Sequence, residues 1–386
     1  MKIEKWIGIV LLCLTPLMNG CSDFWKAPTS TTTTTTTTTL TSGIFYVLNI
    51  QTSQIVAYYV NAGTLTKIAA YSTPTTPITL TVAPSNNFLY LSTANGIYVY
   101  TIKKDGTLTI GNSGTVLSTD LAYTMQVDST GTWLVEAVSG VAYAYAIPLN
   151  TSTGIPPTGA TEQSVALAGP SIHQLTISPD NSYVFVAIGT GGTALVPFTS
   201  GNNNPFGSVS TIATKSANGT GAALSVAVDP TNRLFYIGET AATSGTNAGG
   251  VRVFNFKTFA ELSNSPYASG GNAPYFILPI ASGGYVYIAN RQTASGSDGL
   301  IKGFSVAYSS PTYTLTALGS TFSAGISTQA LAQDSSDKFV FAVSAGGSYD
   351  LSGYVFDTTN GGYLDTVVQT TTGADPTQAS AIAAIH

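Results

Sequence analysis

Three residues of the 386-residue chain have side chains suited to hydrolytic chemistry: His173, Glu239 and Arg291. An imidazole or a carboxylate can act as a general base that takes a proton from water. A guanidinium group can hold an anionic group, or stabilise the oxyanion that develops when water attacks a carbonyl. We therefore take these three residues as the candidate catalytic set, with His173 or Glu239 as the base.

Polar and aromatic side chains at equivalent positions of a repeated unit form the candidate ligand-binding set. One ring of positions lies ten residues before the start of each unit's second strand, and another lies five residues after that start. Both rings are expected to face one mouth of a central channel. The members considered for ligand contact are Tyr123, Tyr275, Asn290, Gln329, Gln378 and Asn49. The simpler alternative is that such side chains only hydrogen-bond to neighbouring loops.

Several other kinds of site are disfavoured by the sequence. The two cysteines, Cys13 and Cys21, precede the predicted domain, and His386 is the only histidine besides His173. We therefore predict no cysteine or multi-histidine metal site, and no cofactor. No pair of carboxylates has the spacing of a calcium loop, so no metal is expected. Glu136, inside a strand, is expected to face outward.

Composition sets limits on the class of protein. Charged residues make up 8% of the chain and hydrophobic residues 44%, which favours a folded protein with a sizeable core over a disordered one. Lysine and arginine number 13 against 18 acidic residues, so the chain offers no positive stripe for nucleic acid.

The candidate residues are positioned by a unit that recurs along the chain. Each copy has an alternating strand, a turn rich in Pro, Asp, Ser and Asn, and a strand of aromatic and β-branched residues, for example residues 174–186. The second strands begin at Ile44, Phe88, Trp133, Tyr183, Leu234, Tyr285 and Phe339. Seven copies of this spacing predict an all-β, seven-bladed propeller of four-stranded antiparallel blades.

The first copy lacks its inner strand, and the end of the chain has a spare one. Residues 377–382 resemble residues 328–333, which form an inner strand in the seventh copy. The C-terminal strand is therefore expected to pair into the first blade, closing the ring and removing its free edges.

The N-terminal region has the pattern of an export signal. Lys2 and Lys5 precede a mostly apolar run of about a dozen residues, which is too short to span a membrane as a helix. The segment that ends at Cys21 resembles the lipobox of bacterial lipoproteins. This resemblance implies cleavage before Cys21 and a lipid anchor on it, and Ser22 favours the outer membrane. We predict a signal peptide over residues 1–20, a lipidated, threonine-rich tether over 21–42 and the propeller over 43–386.

The repeats themselves resemble those of the seven-bladed lactonase-type propellers, the family of bacterial 6-phosphogluconolactonase and the YVTN surface-layer propellers. Residues 169–186 and 228–239 carry the likeness. A histidine opens the equivalent inner strand in the lactonases, as His173 does here, and a glutamate lies near the position of Glu239. The chain departs from the family at Ala187-Ile188-Gly189, where Asp-Leu-Gly is common, and at Ala223-Leu224, where Arg-His is common. These departures remove charge that a phosphosugar would need.

Two main readings of function follow, with a third beside them. The first is an exported, lipid-anchored propeller that binds a small molecule, a glycan or a protein at the cell envelope. The second is a lactone hydrolase that uses His173, Glu239 and Arg291 at the channel mouth. The third is a purely structural propeller at the cell surface.

Overall fold

The structure is a computed structural model that describes residues 43–215, 221–242, 248–291, 299–309, 312–347, 349–372 and 378–386. The predicted signal peptide, Cys21 and the threonine tract lie outside these residues. No helix in the described residues is long and apolar enough to cross a membrane.

The described residues form seven four-stranded antiparallel sheets, arranged as the blades of a β-propeller. Blade 1 contains β1 (Ile44–Asn49), β2 (Gln54–Asn61), β3 (Thr64–Ser72) and β28 (Ala379–Ala384). Blade 2 contains β4 (Pro77–Val82), β5 (Phe88–Thr93), β6 (Gly96–Ile102) and β7 (Leu108–Ile110). Blade 3 contains β8 (Ala122–Val127), β9 (Trp133–Val138), β10 (Tyr143–Pro148) and β11 (Gln163–Ala166). A 3₁₀ turn, Asn112–Gly114, follows β7.

The remaining blades repeat the pattern. Blade 4 contains β12 (Gln174–Ile177), β13 (Tyr183–Ala187), β14 (Thr193–Pro197) and β15 (Ser210–Ile212), and blade 5 contains β16 (Ala223–Val228), β17 (Leu234–Glu239), β18 (Gly250–Asn255) and β19 (Tyr267–Ala268). Blade 6 contains β20 (Pro274–Pro279), β21 (Tyr285–Asn290), β22 (Leu300–Ser309) and β23 (Thr312–Ser323). Blade 7 contains β24 (Ile326–Gln333), β25 (Phe339–Gly346), β26 (Leu351–Asp357) and β27 (Tyr363–Thr370). Every predicted start of a second strand is the first residue of that strand.

The turn between the first and second strands holds this register through its own side chains. In blade 3 the buried carboxylate of Asp128 accepts hydrogen bonds from the backbone N–H groups of Thr132 and Trp133, at 2.8 and 2.7 Å. Asp334 does the same for Phe339 in blade 7, at 2.8 Å. An aspartate that satisfies the backbone of its own turn fixes the point at which the next strand begins.

Ring closure is confirmed by the pairing of β28 with β1. β28 lies where the inner strands of the other blades lie, so no blade is left with a missing strand at the channel. The C-terminus is held further by Asn86, which exchanges hydrogen bonds with the backbone N–H and C=O of His386 at 2.8 and 2.7 Å.

Apolar faces of adjacent blades pack together to form the core. Phe45 of blade 1 stacks on Phe341 of blade 7 with 4.1 Å between ring centroids, and both side chains are fully buried. Tyrosines on the second strands add polar links between blades, because Tyr46 and Tyr90 donate their hydroxyls to Gly106 and Gly154 of the following blade, each at 3.0 Å. Burial of this kind contributes about 2 kcal/mol per large side chain.

Candidate functional site

The channel along the propeller axis encloses a cavity of about 1000 Å³. Of the predicted site residues, five line this cavity: Tyr123, His173, Tyr275, Arg291 and Gln329. We call this group the channel mouth. It lies at the end of the channel where the inner strands begin, opposite the aspartate-containing turns.

A β-bulge in the inner strand brings three of these residues to the cavity. The pairing of β8 with β9 skips Tyr123, that of β20 with β21 skips Tyr275, and that of β24 with β25 skips Gln329. Ile78 and Leu224 are skipped in the same way in blades 2 and 5. A bulged residue has no partner in the ladder, so its side chain turns out of the blade, here towards the axis. The positions ten residues before each second strand, chosen from the sequence, therefore coincide with these β-bulges in five blades.

The two tyrosines of the mouth meet across the channel. The hydroxyls of Tyr123 in blade 3 and Tyr275 in blade 6 are 2.7 Å apart. These blades are three steps apart around a ring of seven, which is the largest separation the ring allows, so the pair spans the channel. Burial raises the pKa of Tyr275, and the Tyr123 phenol adds to the effect. Tyr275 is therefore a neutral phenol, and the two hydroxyls of the pair can donate a hydrogen bond to a ligand or accept one from it.

His173 is the imidazole of the mouth. It lies just before β12, where its backbone N–H donates to Ala187 C=O at 3.0 Å. Its Nε2 is 3.4 Å from Ser171 Oγ, whereas its Nδ1 is buried with no hydrogen-bond partner among the described residues. Burial lowers the pKa of His173, and the positive charge of Arg291 lowers it further. The lowered pKa favours the neutral form of the imidazole at pH 7.

Arg291 follows directly after β21 and is the cation of the mouth. Its guanidinium carbon lies 4.4 Å from the centre of the Tyr275 ring, a cation–π contact. Its Nε donates to Ser327 Oγ at 3.1 Å. Ser327 also accepts hydrogen bonds from Gln329 Nε2, through its C=O at 2.9 Å and its Oγ at 3.2 Å. Ser327 was not predicted, although its position two residues before Gln329 places it at the same strand start.

Glu239 does not lie at the mouth, so its predicted convergence with His173 and Arg291 is wrong. It is fully buried, and the structure does not place it on the cavity. Its Oε1 lies 2.9 Å from Arg252 Nη1, and its Oε2 accepts the backbone N–H of Lys215 at 2.9 Å. Arg252 also pairs with Glu261 at 2.9 Å. Both oxygens of Glu239 are thus occupied in an ion-pair network within blade 5.

The two asparagines predicted for ligand contact are hydrogen-bonded to other residues inside the propeller. Asn49 donates to Thr372 Oγ1 at 2.7 Å and accepts the backbone N–H of Thr52 at 2.9 Å. Asn290 is bonded twice to Ser269, at 2.9 and 2.7 Å. Neither side chain lines the cavity. The reason is common to Asn49, Asn290 and Glu239: each ends a second strand, one strand spacing further from the axis, and its side chain points into the contact between blades.

The predicted position of Gln378 at the channel mouth is wrong for a different reason. Residues 377–382 were aligned on residues 328–333, but the bulge between β28 and β1 skips Ser380, not Gln378. Ser380 lines the cavity, and Gln378 is an exposed residue whose C=O accepts the N–H of Ile50 at 2.9 Å. The closing strand therefore enters the ring two residues later than the alignment predicted.

Glu136 differs from expectation as well, because its side chain is fully buried instead of facing outward. Its carboxylate lies close to those of Asp120 and Glu162, and these three are the group in the described residues that could hold a metal ion. None of them lines the channel cavity. The mouth itself is a site of tyrosine hydroxyls, one imidazole and one guanidinium group.

Comparison with known proteins places this geometry in context. A family model described as lactonase, seven-bladed β-propeller, matches residues 35–237. No curated protein sequence matches the chain.

Solved structures of other proteins share the architecture. A protein of Bacteroides uniformis proposed to be a 6-phosphogluconolactonase has a TM-score of 0.66 at 16% identity, over 88% of this chain and 98% of that one. The periplasmic gluconolactonase PpgL of Pseudomonas aeruginosa has a TM-score of 0.64 at 15% identity, also over 88% and 98%. The hydrazine synthase of Kuenenia stuttgartiensis has a TM-score of 0.55 at 14% identity, over 85% and 95%. At such identities these likenesses show the fold alone.

Proposed function

We propose that this chain, which belongs to the seven-bladed lactonase β-propeller family, hydrolyses a small lactone at its channel mouth. The observation that carries the proposal is the placement of the His173 imidazole and the Arg291 guanidinium together on one aromatic, polar cavity. In the reaction, water adds to the lactone carbonyl and the ring C–O bond breaks. The product is the open-chain hydroxy acid.

The roles follow from the charge of each group. Neutral His173 takes a proton from the attacking water, because its lowered pKa leaves it unprotonated at pH 7. Arg291 stabilises the carbonyl oxygen as it becomes negative. The imidazolium then returns its proton to the ring oxygen that leaves, so one residue serves as base and acid in turn. No role is assigned to Glu239, because Arg252 and Lys215 occupy its oxygens.

The charge of the mouth favours a substrate without a phosphate group. Arg291 is the single arginine or lysine among the described residues that line the cavity. A phosphate dianion is usually held by two or more cations or by several N–H donors. The hydroxyls of Tyr123 and Tyr275 suit the hydroxyl groups of a sugar lactone, which can replace their mutual hydrogen bond. The gluconolactonase PpgL, one of the proteins that share the fold, is consistent with this substrate class.

A second candidate is a binding propeller that takes up a lactone, a hydroxy acid or a glycan without turnover. It is favoured by the loss of Glu239 from the site, which leaves His173 as the one candidate base at the mouth among the residues that the structure describes. In this case the tyrosine pair and Arg291 would recognise the ligand, and His173 would be a hydrogen-bonding group.

A hydrolysis assay with a pH indicator on the purified protein separates the two candidates. The panel contains glucono-δ-lactone, its 6-phosphate and simple lactones, and binding of the matching hydroxy acids is followed by calorimetry. We expect turnover of unphosphorylated sugar lactones above the spontaneous rate. Binding of gluconate without any turnover would support the second candidate and reject the first, and neither binding nor turnover would reject both.

We propose further that the chain is exported and anchored through lipid on Cys21, with residues 22–42 as a tether. The support is the pattern of the first 21 residues, and the description of one fold neighbour as periplasmic is consistent with it. Mass spectrometry of the protein from membranes should find a diacylglyceryl group on Cys21. A Cys21→Ser variant should appear in the soluble fraction, and a parent protein that retains residues 1–20 would contradict the proposal.

A further inference from the structure

Blade 3 and the segment that leads into it bring three carboxylates together. Asp120 lies in the connection between β7 and β8, Glu136 lies in β9, and Glu162 directly precedes β11. One oxygen of each lies within 4.8 Å of an oxygen of the other two. The three residues are distant in sequence, and the strand order of the blade makes them neighbours.

Glu136 is the unusual member of this cluster. Its side chain is fully buried, and no lysine, arginine, N–H or hydroxyl group of the described residues contacts either carboxylate oxygen; its polar neighbours are the other carboxylates of the cluster. An unpartnered buried carboxylate is costly, and proteins normally pair it with a cation or with N–H donors. Glu239, the buried glutamate of blade 5, shows the normal arrangement because Arg252 and the Lys215 N–H hold it. Both oxygens of Glu136 lack such a partner.

The cluster also lacks a protein cation. The ion pairs of lysine and arginine found among the described residues go to Asp229, Glu239 and Glu261, and none goes to the cluster. The three carboxylates therefore face one another with no compensating lysine or arginine among the described residues.

We propose that Asp120, Glu136 and Glu162 form a binding site for a divalent cation, and that the cation is Ca²⁺. Three carboxylate oxygens are a hard donor set, which suits Ca²⁺, Mg²⁺ or Mn²⁺ better than softer metals. With Ca–O distances of about 2.3–2.6 Å, two oxygens on one ion lie at most about 5 Å apart. The donor oxygens all lie within 4.8 Å of one another, a range that Ca²⁺ can span as the side chains stand. Ca²⁺ also accepts irregular coordination geometry, whereas Mg²⁺ demands a near-ideal octahedron.

The site has an entrance and a structural consequence. Glu162 is exposed and Asp120 is half-buried, so an ion and its remaining water ligands can approach from solvent. Asp120 is held by Ser118, whose hydroxyl donates to Oδ2 at 2.9 Å. Because Asp120 is three residues ahead of Tyr123, a bound ion would tie β9 to the segment that delivers Tyr123 to the channel mouth.

Calorimetric titration of the purified, EDTA-treated protein with CaCl2, MgCl2 and MnCl2 at pH 7.5 tests the proposal, together with thermal unfolding in each salt. We expect one Ca²⁺ per chain. At a free concentration a hundredfold above Kd, we expect Tm to rise by about 4 °C for a domain of this size. Glu136→Gln should abolish both effects. In EDTA the same variant should melt close to the parent, because the amide has the shape of the carboxyl group that it replaces.

Two further variants keep the test decisive. Glu162→Gln changes an exposed residue, so its folding is secure, and it should weaken Ca²⁺ binding at least tenfold. Asp357→Asn removes a turn carboxylate of blade 7, whose Oδ1 accepts the Thr359 N–H at 2.8 Å, and it should bind Ca²⁺ like the parent. Absence of heat and of any Tm change with all three salts would overturn the site. Tighter binding of Mg²⁺ or Mn²⁺ would overturn the assignment to calcium, and unchanged binding by Glu136→Gln and Glu162→Gln would overturn the location.

Discussion

The substitution Glu239→Gln should weaken the fold and leave the channel mouth intact. Glu239 is fully buried, with Arg252 Nη1 at 2.9 Å from one oxygen and the Lys215 N–H at 2.9 Å from the other. The amide has the same shape, but its NH2 group must face one of these two donors. Loss of one partner from a buried ion pair costs about 3–5 kcal/mol. We expect the lower value, about 3 kcal/mol, because Arg252 keeps its second carboxylate, Glu261, at 2.9 Å.

This loss can be measured as a change in Tm. With an unfolding entropy of about 2 cal/mol/K per residue over roughly 340 residues, a loss of 3 kcal/mol lowers Tm by about 4 °C. The assay is thermal unfolding at pH 7, run beside lactone turnover at a temperature where both proteins are folded. Turnover should stay within about threefold of the parent.

A matched control lies in the same network. Glu261 is 21% exposed and binds Lys215 Nζ at 3.0 Å as well as Arg252, so Glu261→Gln should cost less, about 1 kcal/mol. An unchanged Tm for Glu239→Gln, together with a hundredfold loss of turnover, would refute the reasoning. That result would mean that Glu239 leaves its ion pair to act at the mouth.

Four more predictions concern the mouth and the ring. Lactone turnover should fall as the pH is lowered, with an apparent pKa below 6.5, because burial and the charge of Arg291 lower the pKa of His173. The pH profile of kcat/KM measures this pKa, and a midpoint above 6.5 would contradict the prediction. The protein should also lose folding stability as the pH falls. The pKa of His173 is lower in the folded state, so the unfolded chain binds more protons below about pH 6.5 and stability is lost as the pH falls through the lowered pKa. Tyr275→Phe removes one hydroxyl of the tyrosine pair and should raise KM severalfold while Tm changes by less than about 2 °C, which steady-state kinetics and thermal unfolding measure. Deletion of residues 379–386 opens the edge of β1 and should cause aggregation on size-exclusion chromatography, whereas a monomeric peak with the parent's Tm would show that closure by β28 is dispensable.

The fold could be predicted because its signals are local. Each aspartate-containing turn sets the start of the next strand through its own hydrogen bonds, as Asp128 does for Trp133. The positions of Tyr123, Tyr275 and Gln329 are counted from the same turns, so their approach to the channel could be predicted too. The β-bulges that turn these side chains inward are part of the same repeat.

The rest of the site depends on features that no local pattern encodes. Glu239 has the right spacing, but its orientation is decided by Arg252, which lies on the next strand. The register of the closing strand depends on packing across the ring and placed Ser380 where Gln378 was expected. Asp120, Glu136 and Glu162 come from three separate segments, so no motif spacing could reveal the cluster. In each case a contact between distant segments decides the outcome.

The most direct test of the proposed hydrolysis is the ratio of kcat/KM between the parent and His173→Gln on the best unphosphorylated sugar lactone. The glutamine can keep a hydrogen bond to Ser171 but cannot accept a proton from water. We predict a loss of about 10²–10⁴-fold with no more than a small change in Tm, while His386→Gln, at the chain's other histidine, retains full turnover. A His173→Gln protein that hydrolyses the lactone within threefold of the parent rate would contradict the assignment of His173 as the base.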